Sequence, residues 1–306
     1  MTTEKIDTIQ KALDYAIRDH ENLKEISGYE IDGRVYNNYM SNKAFEEELR
    51  EMKPEIRKQF DDALGGELKQ KRGRYGVYPP KMACFGSSSR FICNKLKDVK
   101  GISFEAALPT YVKQGKTNVG HSANLDARTT LKEVDVLAEA KNREIYGSHR
   151  IVEVSEVYLP VFDKLKEFFT YTFEPSKKGY VKCIFSAKCK EIVHFDIKQL
   201  ICHFLAIAAA VLEYNITTKT VRFVYVIFNP DEVKDNIVQS YQKKILKQYN
   251  ETLEEMGRFD MKKLFNAIFD IQKDRLKDRL DMSVEQTPNF EFYLADQSNC
   301  EEYFKE

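Results

Sequence analysis

The segment from Thr220 to Phe228 constrains the fold more than any other part of the chain. It reads TVRFVYVIF and is apolar on both sides of an extended backbone, apart from Arg222. A strand of this kind lies inside a sheet whose two faces are both covered. The helical pattern before it is capped by Asp196, continues to about Tyr214 and is apolar nearly all round, so we expect a largely buried helix.

Other strands and helices alternate along the rest of the sequence. Between Gly101 and Gly147 apolar residues recur with period two, which predicts strands near 104–112, 121–129 and 133–146. Helical spacing and capping residues predict helices at about 3–24, 43–64, 90–96, 157–169, 231–256 and 259–279, and a last strand covers about 289–294. Strands mixed with helices predict an α/β fold.

The length fits one large domain or two modest ones. The chain has 306 residues, of which 42% are apolar. We expect a core domain at 85–230, a helical N-terminal region with a basic linker at 1–84, and a mainly helical C-terminal region at 231–306 packed on the core. No run approaches the ~18 apolar residues that a membrane span needs, and no signal peptide precedes the first helix. We therefore expect a soluble, cytoplasmic protein that does not enter a membrane.

Charge and motif content exclude several classes of protein. Lys and Arg number 48, as do Asp and Glu, which excludes an arginine-rich coat protein but not a basic nucleic-acid-binding face balanced by acids. No pattern of the CxxC, HExxH, GxSxG, GxxxxGK[ST] or GxGxxG type occurs, so zinc, P-loop, dinucleotide and serine-hydrolase sites are not expected. Cys202 and His203 are adjacent in a helix, so they do not face each other as a nucleophile and base would.

A basic and aromatic stretch runs from Lys69 to Lys81. Basic residues interleaved with aromatic rings are able to hold a sugar-phosphate backbone and stack bases. A solvated linker has the same composition, so both interpretations stay open.

The segment from Asn124 to Arg143 contains the main candidates for catalytic and metal-binding residues. It reads NLDARTTLKEVDVLAEAKNR. As a strand, residues 133–141 put four apolar side chains on one face and Glu133, Asp135, Leu137, Glu139 and Lys141 on the other. Three acids and a lysine on one face of a strand are costly unless something binds them.

Pairing with the preceding strand adds a further carboxylate. If the turn centres on Lys132-Glu133, Asp126 lies across from Glu139, with Cβ atoms about 4.5–5.5 Å apart. Two such carboxylates are suited to share a magnesium ion, and the backbone carbonyl of Ala140 would add a third ligand. Lys141 projects from the same face as Glu139, where it would position or deprotonate a water or stabilise a phosphate.

Other arrangements of acid and lysine are less suitable. Asp135 lies about 13 Å from Glu139 along the strand, too far to share one ion. The triplets that begin at Glu51, Glu67 and Glu232 also have an ExK spacing, but none combines a strand, an apolar opposite face and an upstream aspartate. A solvated sheet face with cross-strand ion pairs remains the alternative interpretation of the chosen segment.

These residues resemble the PD-(D/E)XK nuclease superfamily, which has the restriction-endonuclease-like fold. The segments SSSRF, SFEAALPT, ANLDAR, AEAKNREIYG and DIKQLICHFLAI together are similar to a prokaryotic family of putative restriction endonucleases. The resemblance implies a mixed sheet flanked by helices over about 85–230, with helical additions at both ends. It also implies that Asp126 and Glu139 are metal ligands and that Lys141 is catalytic. The sequence departs from the superfamily name in having Leu125, not proline, before the aspartate.

The resemblance implies roles for two further residues. Glu105, before the first core strand, matches an acidic residue near the metal, although an ion pair with Arg or Lys would equally satisfy it. Gln199 matches a helical glutamine that contacts the water or phosphate, and the alternative is that it forms a polar pair with His203, hydrogen-bonded inside the core. His203 shares its stripe and is expected to be a hydrogen-bonded core residue.

The sequence thus predicts a magnesium-dependent endonuclease that hydrolyses DNA phosphodiester bonds, in restriction or another defence role. Manganese is expected to substitute for magnesium. A homodimer is one expectation, because a duplex has two strands; a cognate methyltransferase is not identified. The alternatives are a catalytically silent DNA-binding or assembly module of the same fold, and a nuclease that acts in repair or on RNA.

Overall fold

The computed structural model describes most of the chain. The described residues are 6–21, 28–63, 67–73, 76–111, 122–213, 216–277 and 287–305. Some ends of the predicted elements lie outside these residues, namely 3–5, 22–24, 64, 112, 121, 214 and 278–279.

The described residues contain eight α-helices. In chain order they are α1 (Ile9–His20), α2 (Asn42–Glu51), α3 (Pro54–Asp62), α4 (Ser88–Leu96), α5 (Leu159–Lys164), α6 (Ile197–Leu212), α7 (Gln239–Met256) and α8 (Met261–Leu276).

The same residues contain thirteen β-strands. In chain order they are β1 (Tyr29–Ile31), β2 (Arg34–Tyr36), β3 (Lys71–Gly73), β4 (Gly76–Tyr78), β5 (Ser103–Pro109), β6 (Ser122–Leu131), β7 (Val134–Lys141), β8 (Val152–Ser155), β9 (Thr170–Pro175), β10 (Tyr180–Ala187), β11 (Lys190–Glu191), β12 (Thr220–Ile227) and β13 (Asn289–Ala295).

The main sheet has five strands in the order β13-β12-β7-β6-β5. Strands β5, β6 and β7 pair antiparallel, whereas β12 is parallel to both β7 and β13. The predicted α/β class is confirmed, and the sheet is mixed. Strand β12 lies inside the sheet, as its sequence predicts, and five of its side chains, from Phe223 to Ile227, are buried.

Helix α6 connects β10 and β11 to β12 and forms much of the core. Its N-cap Asp196 accepts a hydrogen bond from the backbone N–H of Gln199, as predicted for a capped helix. The Phe204 ring of α6 packs edge-on against Phe223 of β12 and Phe265 of α8. The sheet therefore packs on α6, and α8 packs behind it.

A second, smaller sheet accounts for the region between α5 and α6. Strand β10 pairs with β9 on one side and with β8 and β11 on the other, all antiparallel. The sequence pattern of residues 178–195 did not distinguish strand from helix. The 157–169 segment, predicted as a helix, contains only the short α5, because Pro160 starts a helix of six residues there.

Three predicted elements have different limits in the structure. The 43–64 helix is two helices, because Pro54 keeps Lys53 extended and begins α3 at its first turn. The 133–146 strand ends at Lys141, where a 3₁₀ turn follows. The 231–256 helix begins only at Gln239, because Pro230 starts two successive 3₁₀ turns instead.

The remaining predicted elements are present. Helix α4 is capped by Ser87, and α8 and β13 cover the predicted positions. The basic stretch from Lys69 to Lys81 contains the β3–β4 hairpin. The division at 84/85 and 230/231 stays a prediction, although β13, from the third region, belongs to the main sheet.

Candidate metal centre

Strands β6 and β7 have the predicted register. Their pairing runs from Leu131↔Val134 to Ala127↔Ala138, with Lys132-Glu133 as the two-residue turn. Continued by one residue, this register sets Asp126 opposite Glu139. The backbone pairing of the two strands stops before this position. There the backbone N–H of Ala140 donates a hydrogen bond of 2.7 Å to Oδ2 of the Asp126 carboxylate.

Strands β5 and β12 extend this pair into a row. Glu105 falls between two paired positions of β5 and is in register with Asp126. Tyr225 of β12 pairs with Glu139. Glu105, Asp126, Glu139 and Tyr225 therefore lie in one row across four strands. Glu105 has φ of 52°, a left-handed conformation that costs a residue with a Cβ about 1–3 kcal/mol and is concentrated at functional sites.

Glu139 is at the centre of the hydrogen bonds in this row. Its Oε1 accepts from the Lys141 ammonium and, at 2.9 Å, from the side-chain amide of Gln199. Its Oε2 lies 3.6 Å from Nε2 of His203. Burial raises the pKa of Glu139 to about 7, and the attraction of Lys141 only partly offsets this.

The other two carboxyl groups also bind protons more tightly than usual. Burial and the neighbouring Glu139 raise the pKa of Asp126 well above its ordinary value. Burial, Asp126 and Glu67 raise the pKa of Glu105 to about 7. Asp126 and Glu139 are buried and Glu105 is half-buried. Three such carboxyl groups in one row repel each other when ionised, so a cation would relieve all three.

Glu139 has two close partners, the positively charged Lys141 and the neutral His203. Burial alone would lower the pKa of Lys141, but the adjacent Glu139 carboxylate raises it, so the ammonium stays charged. Burial and the charge of Lys141 lower the pKa of His203 to about 3, which keeps the imidazole neutral. His203 is thus a buried polar residue, as predicted, and it lies against the acidic row.

A second hydrogen-bonded group adjoins Glu105. The Ser89 hydroxyl lies 3.0 Å from Oε1 of Glu105 and 3.1 Å from Oε2 of Glu67, and Lys81 pairs with Oε1 of Glu67 at 3.2 Å. A hydroxyl has one hydrogen, so it donates to only one of the two carboxyl groups.

The sequence did not identify Glu67 and Lys81 as site residues. The Glu67 triplet was rejected as an ExK motif, and indeed its lysine, Lys69, pairs with Asp61 on the surface. Glu67 itself is only 2% exposed and lines the same cleft as the row. The sequence feature that points to this part of the site is the basic stretch from Lys69 to Lys81.

One cleft of about 580 Å³ joins these groups. Its lining includes all five predicted side chains, Glu105, Asp126, Glu139, Lys141 and Gln199. Residues that the sequence did not single out complete the wall: Glu67, Lys71, Lys81, Ser88, Asn124, Glu144, Ile145, His149, His194, Asp196 and Tyr225.

Two of the rejected acids, Asp135 and Glu232, lie outside this cleft. Asp135 forms an ion pair with Arg128 at 3.0 Å and accepts a hydrogen bond from Thr130, so its charge is satisfied at the other end of the strand. Glu232 is exposed, and Lys234 pairs with Asp231 at the surface.

The donor set fits a hard divalent cation. Carboxylate and carbonyl oxygens are the ligands that magnesium prefers. Within the described residues no three His, Cys, Asp or Glu side chains are already gathered as a ligand group. The oxygens of Asp126 and Glu139 instead accept hydrogen bonds from Ala140, Lys141 and Gln199. The row of carboxyl groups in one cleft, rather than a finished coordination shell, is the observation that fits a cation.

Among the helices of the described segments, none has both the length and the hydrophobicity to span a bilayer. Comparisons of the chain with models of protein families, with curated proteins and with solved structures found no match.

Proposed function

We propose that this protein is a magnesium-dependent endonuclease that hydrolyses DNA phosphodiester bonds in the cytoplasm. The observation that carries the proposal is the row of Glu105, Asp126 and Glu139 in one cleft, with Lys141 two residues after the last acid. The sequence alone predicts each of these residues as part of the site.

The order of the elements also supports a restriction-endonuclease-like core. Helix α4 is followed by the antiparallel β5, β6 and β7, then, after α5 and the second sheet, by α6, and then by β12 parallel to β7. The acidic residues lie on β5, β6 and β7, and Gln199 comes from α6. This is the arrangement that the resemblance to PD-(D/E)XK nucleases implies.

Four groups would hold the metal: the carboxylates of Glu105, Asp126 and Glu139, and the carbonyl of Ala140. The N–H of Ala140 points to Asp126. In an extended strand the N–H and C=O of one residue point to the same side, so the carbonyl is directed toward β6 as well. Bound magnesium, or manganese in its place, would polarise the phosphate and lower the pKa of a water.

The protein side chains hold the reacting groups in place. Lys141 is fixed by Glu139 and carries a positive charge for a phosphate oxygen or the attacking water. Gln199 donates to the same carboxylate and so fixes its orientation. Asp196 ties Gln199 to the start of α6 and lines the same cleft.

The charge of the cleft favours an enzyme over the silent binding module. Six acidic side chains line it, Glu67, Glu105, Asp126, Glu139, Glu144 and Asp196, against the three lysines Lys71, Lys81 and Lys141. A DNA phosphate is repelled by such a surface unless a cation neutralises it. A metal-independent DNA binder would have no use for this distribution.

The test is cleavage of plasmid DNA, single-stranded DNA and RNA with and without magnesium. Wild type is expected to cut duplex DNA only with the metal, and Lys141→Gln is expected to bind the metal but cut poorly. Cleavage of RNA alone would favour the RNA nuclease, and no cleavage of any substrate would favour the binding module. The restriction or defence role, a homodimer and a modification partner are proposals that the same assay begins to test, through discrete fragments.

A further inference from the structure

We propose that the Lys81 ammonium serves as a second, built-in cation of this centre, so that the site binds one divalent ion and not two. The inference rests on the proposed function, because it concerns the metal that function requires. It assigns a role to a residue of the N-terminal region, outside the segments that resemble a nuclease.

The first argument is the position of Lys81. It begins the 3₁₀ turn of residues 81–83, shortly after the β3–β4 hairpin. Its ammonium pairs with Glu67 at 3.2 Å and lies 3.5 Å from the hydroxyl of Ser89, which in turn contacts Glu105. The chain thus holds a cation at the β5 end of the acidic row, whereas Lys141 lies at the β7 end.

The second argument is the set of charges that act on this ammonium. Burial lowers the pKa of Lys81, but the carboxylates of Glu67, Asp126 and Glu105 together raise it above its ordinary value. Two of these three acids are the ones assigned to the metal. The hydroxyl of Ser89 lies between this ammonium and Oε1 of Glu105, so the contacts place Lys81 beside the row as well as beside Glu67.

The third argument concerns the space that a second ion would need. In two-metal sites the ions lie about 3.5–4 Å apart and share carboxylate oxygens. At the β5 end of the row the further acid is Glu67, and one of its oxygens already holds the Lys81 ammonium while the other accepts from Ser89. A second divalent ion would have to displace a positive charge that is tethered to the chain.

A simpler role is that Lys81 only neutralises Glu67, which is almost fully buried. The two roles differ in what happens when both charges are removed together. If Lys81 serves Glu67 alone, the double variant Glu67→Gln with Lys81→Gln behaves as wild type. If the Lys81 ammonium also balances the carboxylates of the row, the double variant still lacks that positive charge.

The experiment is a manganese titration of the full chain, followed by electron paramagnetic resonance and by calorimetry. We expect one ion for wild type and for Lys81→Arg, and two for Lys81→Gln. Lys69→Gln is the matched control, because Lys69 comes from the same stretch but pairs with Asp61 at the surface, and it should bind one ion. Two ions in wild type, or one ion of unchanged affinity in Lys81→Gln, would overturn the inference.

The double variant protects the test against misfolding, because it leaves no unpaired buried charge. We expect it to bind one ion more tightly than wild type, because the row has lost the ammonium that competes with the ion while the second ion has lost the Glu67 carboxylate. Binding of one ion with wild-type affinity would assign Lys81 to Glu67 alone. If wild type binds no manganese at all, the metal centre is wrong, and the proposed function fails with it. Failure of the inference and failure of the proposed function are thus separate results.

Discussion

Strand register holds the carboxyl groups of β5, β6 and β7 together against their mutual repulsion. Glu139 is 3% exposed, and its charge has Lys141 as the nearest cation. A packed sheet has no structural need for acids in this row, since apolar side chains would pack there at lower cost. A ligand that binds the ionised carboxylates explains why they are present.

Replacement of Glu139 is the first prediction at this scale. Glu139→Gln is expected to reduce magnesium affinity at least tenfold, which is a loss of about 1.4 kcal/mol or more, because one charged ligand disappears. Asp135→Asn is the matched control: it lies on the same strand and face, is also buried, and pairs with Arg128. Calorimetry that finds equal affinities in the two variants would refute the assignment.

The second prediction is a dependence on pH. The folded pKa values of Glu105 and Glu139 are about 7, above their ordinary 4.5, so the metal-free folded chain binds protons more tightly than the unfolded chain. Their contribution to stability is therefore largest below about pH 4.5 and is lost as the pH rises through about 7. The melting temperature of the metal-free protein should therefore fall as the pH is raised from 5 to 8.

Metal binding should reverse this trend, because the ion needs the ionised carboxylates. Magnesium affinity is expected to increase between pH 6 and pH 8, with release of protons. Calorimetry in two buffers of different ionisation enthalpy measures that release. Equal heats in both buffers at pH 7 would show that the carboxyl groups are already ionised in the free protein.

Among the elements, α7 fixes one wall of the cleft. The Glu255 carboxylate, near the end of α7, accepts three backbone N–H bonds of 2.8 Å from residues 193–195. His194 and Asp196, in and next to this segment, both line the cleft. A helix that is remote in sequence therefore positions the start of α6, and with it Gln199.

Loss of this anchor is the third prediction. Glu255→Gln is expected to lower the free energy of unfolding by about 2–4 kcal/mol, because it weakens three charge-assisted bonds in a buried place. Glu254→Gln, one residue away on the exposed side, should change it by less than about 0.5 kcal/mol. Urea titrations of both variants measure the difference, and similar small losses would contradict the anchoring role.

The whole molecule is held together by contacts that cross the predicted region boundaries. Phe290 of β13 stacks on Phe265 of α8 with ring centroids 3.9 Å apart, and both contact Phe204 of α6. Residues of the C-terminal region therefore cover the helix that carries Gln199. A fragment of residues 85–230 would expose this apolar surface and the edge of β12.

The fourth prediction follows from this packing. Phe290→Ala is expected to lower the free energy of unfolding by about 3–5 kcal/mol, whereas Phe173→Ala, whose ring is 55% exposed, should cost under about 0.5 kcal/mol. The fragment 85–230 should show no cooperative melting by circular dichroism. A cooperative transition in that fragment would show that the predicted core is an independent domain.

Local signals along the chain predict some features of the fold and the site, whereas contacts between distant segments do not follow from the sequence. The β6–β7 register follows from local signals, namely a two-residue turn at Lys132-Glu133 and strict alternation, so the pairing of Asp126 with Glu139 was accessible. The link of Lys81 and Glu67 to Glu105 through the hydroxyl of Ser89 has no local signal, because it joins segments that only the folded chain brings together. Pro54, in contrast, is a local signal for the division of the predicted 43–64 helix.

The most direct measurement is magnesium-dependent relaxation and linearisation of a supercoiled plasmid by wild type, Glu139→Gln and Asp135→Asn. The account predicts that wild type and Asp135→Asn cut only when magnesium is present and that Glu139→Gln does not cut. Equal cleavage by Glu139→Gln, or cleavage by wild type in the presence of excess chelator, would contradict a metal-dependent nuclease centred on this row of carboxylates.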